Sequence, residues 1–187
     1  MPSFVVESTM AFYIVVKGKL TPFQFDYLDD STPVRLERTV VHGENLRGQN
    51  KLAQDKLKNE VFAIEIMSTK LVTLSPAAKV KDAKKLMEDH QIHHIPLLID
   101  KLLTGMISLK DISEESLRLD QEIRLDKVMS KMVLCASEST PLRHVAQVFL
   151  KENINSLPVV DSDFMVTGII THRDLIRWLL ENQKFQK

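Results

Sequence analysis

Glycine is scarce in this chain, with five among 187 residues. Glycine-rich phosphate loops and dinucleotide fingerprints need several glycines close together, and neither a Walker-type loop nor a G-x-G-x-x-G run is present. No nucleophile elbow or Ser-Asp-His order supports hydrolase chemistry either. Cys135 is the one cysteine, so no intramolecular disulfide can form, which fits a reducing cytoplasm. Neither sign of charge is in excess, with 25 Lys plus Arg against 25 Asp plus Glu, and the basic footprint of a nucleic-acid binder is missing at whole-chain level. The longest apolar run near the start, residues 10–16, falls far short of the roughly 20 residues of a membrane span. It has no basic leader and no small-residue cleavage site, so neither a secretory signal nor a membrane association is expected. What remains, at 44% hydrophobic and 27% charged, is the composition of a soluble globular protein, expected in the cytoplasm.

Two of the few glycines occupy matching places. Gly105-Met106-Ile107-Ser108-Leu109-Lys110-Asp111 and Gly168-Ile169-Ile170-Thr171-His172-Arg173-Asp174 each run Gly, two apolar residues, a hydroxyl residue and, three further on, Asp. The likeness extends upstream. Met67-Ser68 recurs as Met129-Ser130, and Ile92 to Pro96 (IHHIP) recurs as Ile154 to Pro158 (INSLP). A long period of this kind marks a repeated structural unit.

Each repeat has the same internal order. A β-prone run comes first: Lys70 to Leu74, then Met132 to Cys135. An amphipathic helix follows, with Val80, Ala83, Leu86 and Met87 on one face in the first copy and Leu142, Val145, Val148 and Phe149 in the second. Thr140 before Pro141 reads as an N-cap with proline at the first helical position. Next come two nearly continuous apolar strands, at Ile95–Ile99 and Thr104–Ser108, and again at Leu157–Val160 and Val166–Thr171. A second helix starts near Asp111 and near Asp174. The fold class is therefore α/β (α+β), two β-α-β-β-α repeats packed as a pseudo-symmetric pair. One such unit is too small to bury its apolar faces alone. The boundaries are an N-terminal extension over 1–60, repeat one over 61–121 and repeat two over 122–187.

The stretch from about Val61 to Leu180 resembles a tandem pair of cystathionine β-synthase (CBS) domains, a Bateman module. The resemblance rests on Met67-Ser68, IHHIP and INSLP, and above all on GMISLKD and GIITHRD, found twice in one order. It implies a non-enzymatic regulatory protein that binds an adenosine-containing ligand (AMP, ADP or ATP) in the cleft between paired repeats. It also implies a homodimer of modules and an effector protein still to be identified. By the same resemblance Asp111 and Asp174 hold ribose hydroxyls, and Ser108 and Thr171 contact phosphate. Backbone near Thr73, Cys135, His94-Ile95 and Ser156-Leu157, together with Pro96 and Pro158, faces the adenine. The chemistry suits these roles: an ionised Asp accepts two hydrogen bonds from a diol, and a hydroxyl with free N–H groups at a helix start suits phosphate. Arg173 is a bidentate phosphate partner where Lys110 is a point charge, so the second pattern is the better phosphate site. The turns at 99–103 and 161–165 lack the glycine common in the family. The alternative is an interaction module with an empty cleft.

Plainer readings stand beside these. Asp111 and Asp174 are also what a helix dipole favours at its N-terminus, and Gly105 and Gly168 are also what close strand packing favours. His90, His93 and His94 form a His-x-x-His-His cluster, but no further ligand completes a metal site and none is expected. His144 and His172 are expected at the surface, and Cys135 as a small buried hydrophobe. Trp178 lies on the apolar stripe of the last helix. In the extension, residues 10–17 and 33–41 read as strands, residues 49–64 as a linker helix, and the whole as a dimer-stabilising arm.

Overall fold

The structure is a computed structural model that describes residues 12–28, 60–116 and 122–182. The expected strand at 33–41, and the expected helix at 49–64 up to residue 59, lie outside those residues. The described part begins with a hairpin, β1 (Phe12–Val16) and β2 (Lys19–Phe23). Its two-residue turn holds Lys17 at φ 51° and Gly18 at φ 79°, the double left-handed geometry that matches strand twist. The strand β2 includes Thr21-Pro22, between the two stretches expected to be strands. Pro22 is tolerated because β2 is the edge of its sheet.

The linker contributes a single helical turn, α1 (Ala63–Ile66). The first repeat then supplies α2 (Val80–His90), β3 (His94–Ile99), β4 (Leu102–Ser108) and α3 (Leu109–Ser116). The second supplies β5 (Met132–Ser137), α4 (Leu142–Glu152), β6 (Ser156–Val160), β7 (Val166–Thr171) and α5 (His172–Asn182). A short 3-10 turn, Leu125–Lys127, joins the halves. The helix faces are those expected: Val80, Ala83 and Met87 are buried from α2, and Leu142, Val145, Val148 and Phe149 from α4.

The repeats are not equal. In the second half β5 runs parallel to β6, which pairs antiparallel with β7, and the hairpin adds β1 and β2, giving the order β2-β1-β5-β6-β7. In the first half β3 and β4 form a two-stranded sheet, and the expected strand at 70–74 shrinks to one bridge, Leu74 to Leu97. The physical difference is the neighbour. All five residues of β1 are laddered against Met132–Ala136, while residues 70–73 have no such strand beside them among the described residues.

Cross-repeat packing explains the matched glycines. A side chain added at Gly168 would meet the Met67 sulfur at 2.4 Å, and one at Gly105 would meet the Met129 sulfur at 2.6 Å and the Ser130 carbonyl oxygen at 2.9 Å. Each glycine thus accepts the Met-Ser pair that opens the other repeat. The backbone completes the exchange, since Ser68 bridges Ile169 and Ser130 bridges Met106. Gly105→Ala should cost about 1–3 kcal/mol in urea unfolding, the usual range for overpacking. Gly168→Ala should cost less, because only a flexible thioether side chain stands in the way.

Two local expectations are corrected. Thr140 is not the N-cap of α4. Pro141 holds that position, and the Thr140 hydroxyl accepts instead from the Ser137 N–H at 2.9 Å, closing the turn after β5. His144 is buried, not at the surface, because the linker covers the first turn of α4: Ala63 N–H donates to Thr140 and Leu142 N–H to Val61. His172 is exposed, with its ring edge-on to Phe149.

The glycine-free turns carry their strain on other residues. Asp100 and Lys101 sit at φ 50° and 68°, and Phe164 at φ 61°. Left-handed backbone costs an L-residue about 1–2 kcal/mol. Lys101→Gly should therefore raise the midpoint of urea unfolding by the equivalent of about 1 kcal/mol, and an unchanged midpoint would place no strain there.

Candidate functional site

Each matched pattern forms a strand end and a helix start, β4 into α3 and β7 into α5. Thr171 precedes α5, and Asp174 in its first turn reaches back: its Oδ2 accepts from the Thr171 N–H at 2.8 Å and from the Thr171 hydroxyl at 2.7 Å. Ser108 and Asp111 repeat this before α3, with the Ser108 N–H at 2.7 Å and its hydroxyl at 2.6 Å from Asp111 Oδ2, and the Asp111 N–H returning to Ser108 Oγ. Ser108 and Asp111 make a full capping box and Thr171 and Asp174 show its aspartate half, so the plainer helix-terminus reading of both aspartates accounts for one oxygen of each. The other oxygen of Asp174 is not used by the cap. It accepts from the Ser68 hydroxyl at 3.3 Å and lies 3.7 Å from Arg177. Asp174 is only 6% exposed, although its helix faces outward.

Asp174 borders a cleft of about 460 Å³ between the repeats. One wall is the unladdered chain Ser68 and Lys70–Val72. A second is the end of α2 and the start of β3, with His90, His93, His94 and Pro96. The third is Ile169, Thr171, Arg173, Asp174 and Arg177. The cleft thus gathers His94, Pro96, Thr171, Arg173 and Asp174 from the sequence-derived set. Of the rest of that set, Thr73 is half-buried beyond the Lys70–Val72 wall and Ile95 points into the first core. Ser108 and Asp111 stand at the other helix start with Lys110 exposed beside them, and Cys135, Ser156, Leu157 and Pro158 are all buried in the second half. Lys70, His90, His93 and Arg177 were not in that set. Lys70 and Arg177 lie just beyond the quoted motifs, and only the fold brings them to the same opening as Arg173.

The electrostatics of the cleft are mixed but favour anions. Lys70, Arg173 and Arg177 face a single carboxylate, Asp174, and four imidazoles line the rim: His90, His93, His94 and His172. Burial holds the His94 imidazole below its ordinary value of 6.5, the neighbouring His93 adds to that, and Asp111 opposes it. A histidine whose folded value is depressed takes up its proton more readily in the unfolded chain. Its contribution to stability is therefore present above about pH 6.5 and is lost as pH falls from there through the lower folded value. Thermal melts of wild type and His94→Gln should converge on acidification, with the wild type losing more stability between pH 7.5 and 5.5. Burial raises the Cys135 thiol to about 12, so it is inert as a nucleophile. Among the described residues no group of three or more His, Cys, Asp or Glu is placed to hold a metal.

A second concavity of about 510 Å³ lies at the turn of the hairpin, lined by Lys17, Thr104, Arg124, Asp126, Lys127 and Lys131 among others. No residue of the sequence-derived set borders it.

Comparison with known proteins agrees with this architecture. The CBS domain family matches residues 63–118 and 125–181, more than half of the chain. The L-aspartate semialdehyde sulfurtransferase of Methanocaldococcus jannaschii is 32% identical over 133 residues, which is 70% of this chain and 25% of that protein. The chain spans about a quarter to a half of the length of the first curated relatives it matches. Among solved structures, the CBS domain pair of protein MJ0100, in complex with 5'-methylthioadenosine and S-adenosyl-L-methionine, is 28% identical. It superposes with a TM-score of 0.60 over 65% of this chain and 98% of that one. A putative acetoin utilization protein of Vibrio cholerae is 32% identical, with a TM-score of 0.59 over 65% of this chain and 91% of that one. No helix among the described residues is long and apolar enough to cross a membrane. The match in both halves, the two cross-bridged repeats and the matched aspartates at the two helix starts make this chain a member of the CBS domain family, built as a tandem pair.

Proposed function

We propose that this chain is a regulatory sensor that binds an adenosine nucleotide in the cleft beside Asp174, catalyses no reaction, and passes its occupancy to a protein partner. The observation that carries this is the second oxygen of Asp174. One oxygen is tied to Thr171, and the cap leaves the other beside the Ser68 hydroxyl and Arg177, in a cleft that Arg173 and Lys70 also line. A ribose diol donates to that oxygen, and the cations and the start of α5 take the phosphates. Support also comes from the related domain pair solved with two adenosine derivatives. Any switch must arise from unequal affinity for two states of the protein. The chain works in the cytoplasm as a homodimer, for which the exposed Ile176, Leu179 and Leu180 of α5 supply apolar surface.

A thermal-shift panel of AMP, ADP, ATP, cyclic dinucleotides, S-adenosylmethionine and NAD tests the reading. A true ligand at 100 times its Kd stabilises the fold by about 2.7 kcal/mol. Silence across the panel would favour an interaction module with an empty cleft. Turnover of ATP by the pure protein would overturn the non-enzymatic assignment.

A further inference from the structure

The repeat offsets pair each wall of the Asp174 cleft with a counterpart near Asp111, and the counterparts differ in three ways. The first is space. Thr73, His94 and Ile169 are partly exposed, whereas their counterparts Cys135, Ser156 and Met106 are 0%, 8% and 9% exposed. The Ser156 hydroxyl already rests 3.7 Å from the Met106 sulfur. The second is the chain that forms the wall. Residues 70–73 lack a laddered neighbour among the described residues, but Met132–Cys135 are zipped along β1. Tyr13 and Val15 of β1 join Leu103, Met106, Val133 and Cys135 in one cluster, so the hairpin packs where β4 and β5 approach each other. In the other half the matching approach, between 70–72 and β7, stands open as the cleft. The third is charge. Lys70 and Arg173 correspond in sequence to Met132 and Lys110, so one of the two cations is lost and the other is a point charge.

We infer that the chain takes one nucleotide and not two: the Asp174 cleft is its phosphate-bearing site, and the Asp111 half is closed by its own packing, with the N-terminal hairpin as the closing element. This rests on the nucleotide reading above. A duplicated motif has become one binding half and one structural half. In the structural half the capping box still starts its helix, but Met106, Cys135 and Ser156 occupy the room a base would need.

Calorimetric titration of the full chain with ATP and, separately, AMP decides it. One ligand per chain is expected, and Asp174→Asn should weaken it at least tenfold with no residual site. The asparagine keeps an oxygen for the Thr171 N–H and turns its amide, a donor, toward the cleft. Arg177→Glu, an exposed substitution that reverses a charge at the cleft, should weaken ATP at least tenfold and AMP less. Two ligands per chain, or a site of unchanged affinity persisting in Asp174→Asn, would overturn the single-site assignment while leaving the nucleotide reading intact. No binding of either probe to the wild type would overturn both.

Discussion

Asp174→Ala should lower the affinity for an adenosine nucleotide by about 100-fold and erase its thermal shift at millimolar ligand. The magnitude follows from the oxygen that the cap does not use. Hydrogen bonds to a charged group contribute about 1.5–3 kcal/mol, so losing even one or two donated by a ribose diol gives a loss of this size. The same substitution removes the acceptor for the Thr171 N–H and hydroxyl, both under 3 Å away. A lost cap costs about 1 kcal/mol, so the variant should also melt lower without ligand. The two effects separate in one experiment, because melting with and without ATP reads the ligand increment on top of the altered baseline. A variant that melts lower but keeps the full increment would leave Asp174 as a helix cap alone.

How far the sequence carried this reading depends on the residue. The helices were legible because Val80, Ala83 and Met87, and Val145, Val148 and Phe149, recur at helical spacing. Strands β3, β4, β6 and β7 were legible as continuous apolar runs. The strand at 70–74 was not, because its propensity equals that of Met132–Ser137 and only the presence of β1 beside one of them separates the two. Gly105 and Gly168 were ambiguous between packing and ligand approach, and the answer, two methionine side chains, lies 101 residues away in one case and 24 in the other, beyond any local pattern. The caps were visible as spacing, but whether an aspartate spends one oxygen or both on its cap is geometry. Lys70 and Arg177 show the same limit. Each is an ordinary cation in sequence, and the cleft exists only once the walls that carry residue 70 and residue 177 come together.

Phe12→Ala should destabilise the whole protein by about 3–5 kcal/mol, a loss read as a lower midpoint in urea with an unchanged slope. A phenylalanine buried in a packed core and truncated to alanine costs that much through lost transfer energy and the cavity left behind. Phe12 is 1% exposed, and its ring meets Phe25 edge-on with centroids 5.5 Å apart. It shares a core with Ala136, Val145, Val148, Leu157 and Ile170, residues of the second repeat from three strands and a helix. A detachable dimer arm, the expectation from sequence, would give a different result: truncation at its root would loosen the arm, alter association and leave the unfolding of the module nearly untouched. The pairing argues against that outcome. β1 is an inner strand of a five-stranded sheet, laddered on both edges, and removing its anchor exposes β5 as well as β2. Since β5 also walls the closed half, the same variant should loosen Cys135, whose thiol is buried in the neighbouring cluster. Faster labelling of Cys135 by a thiol reagent in Phe12→Ala than in wild type would tie the hairpin to both jobs, and equal rates would confine Phe12 to the core around α4.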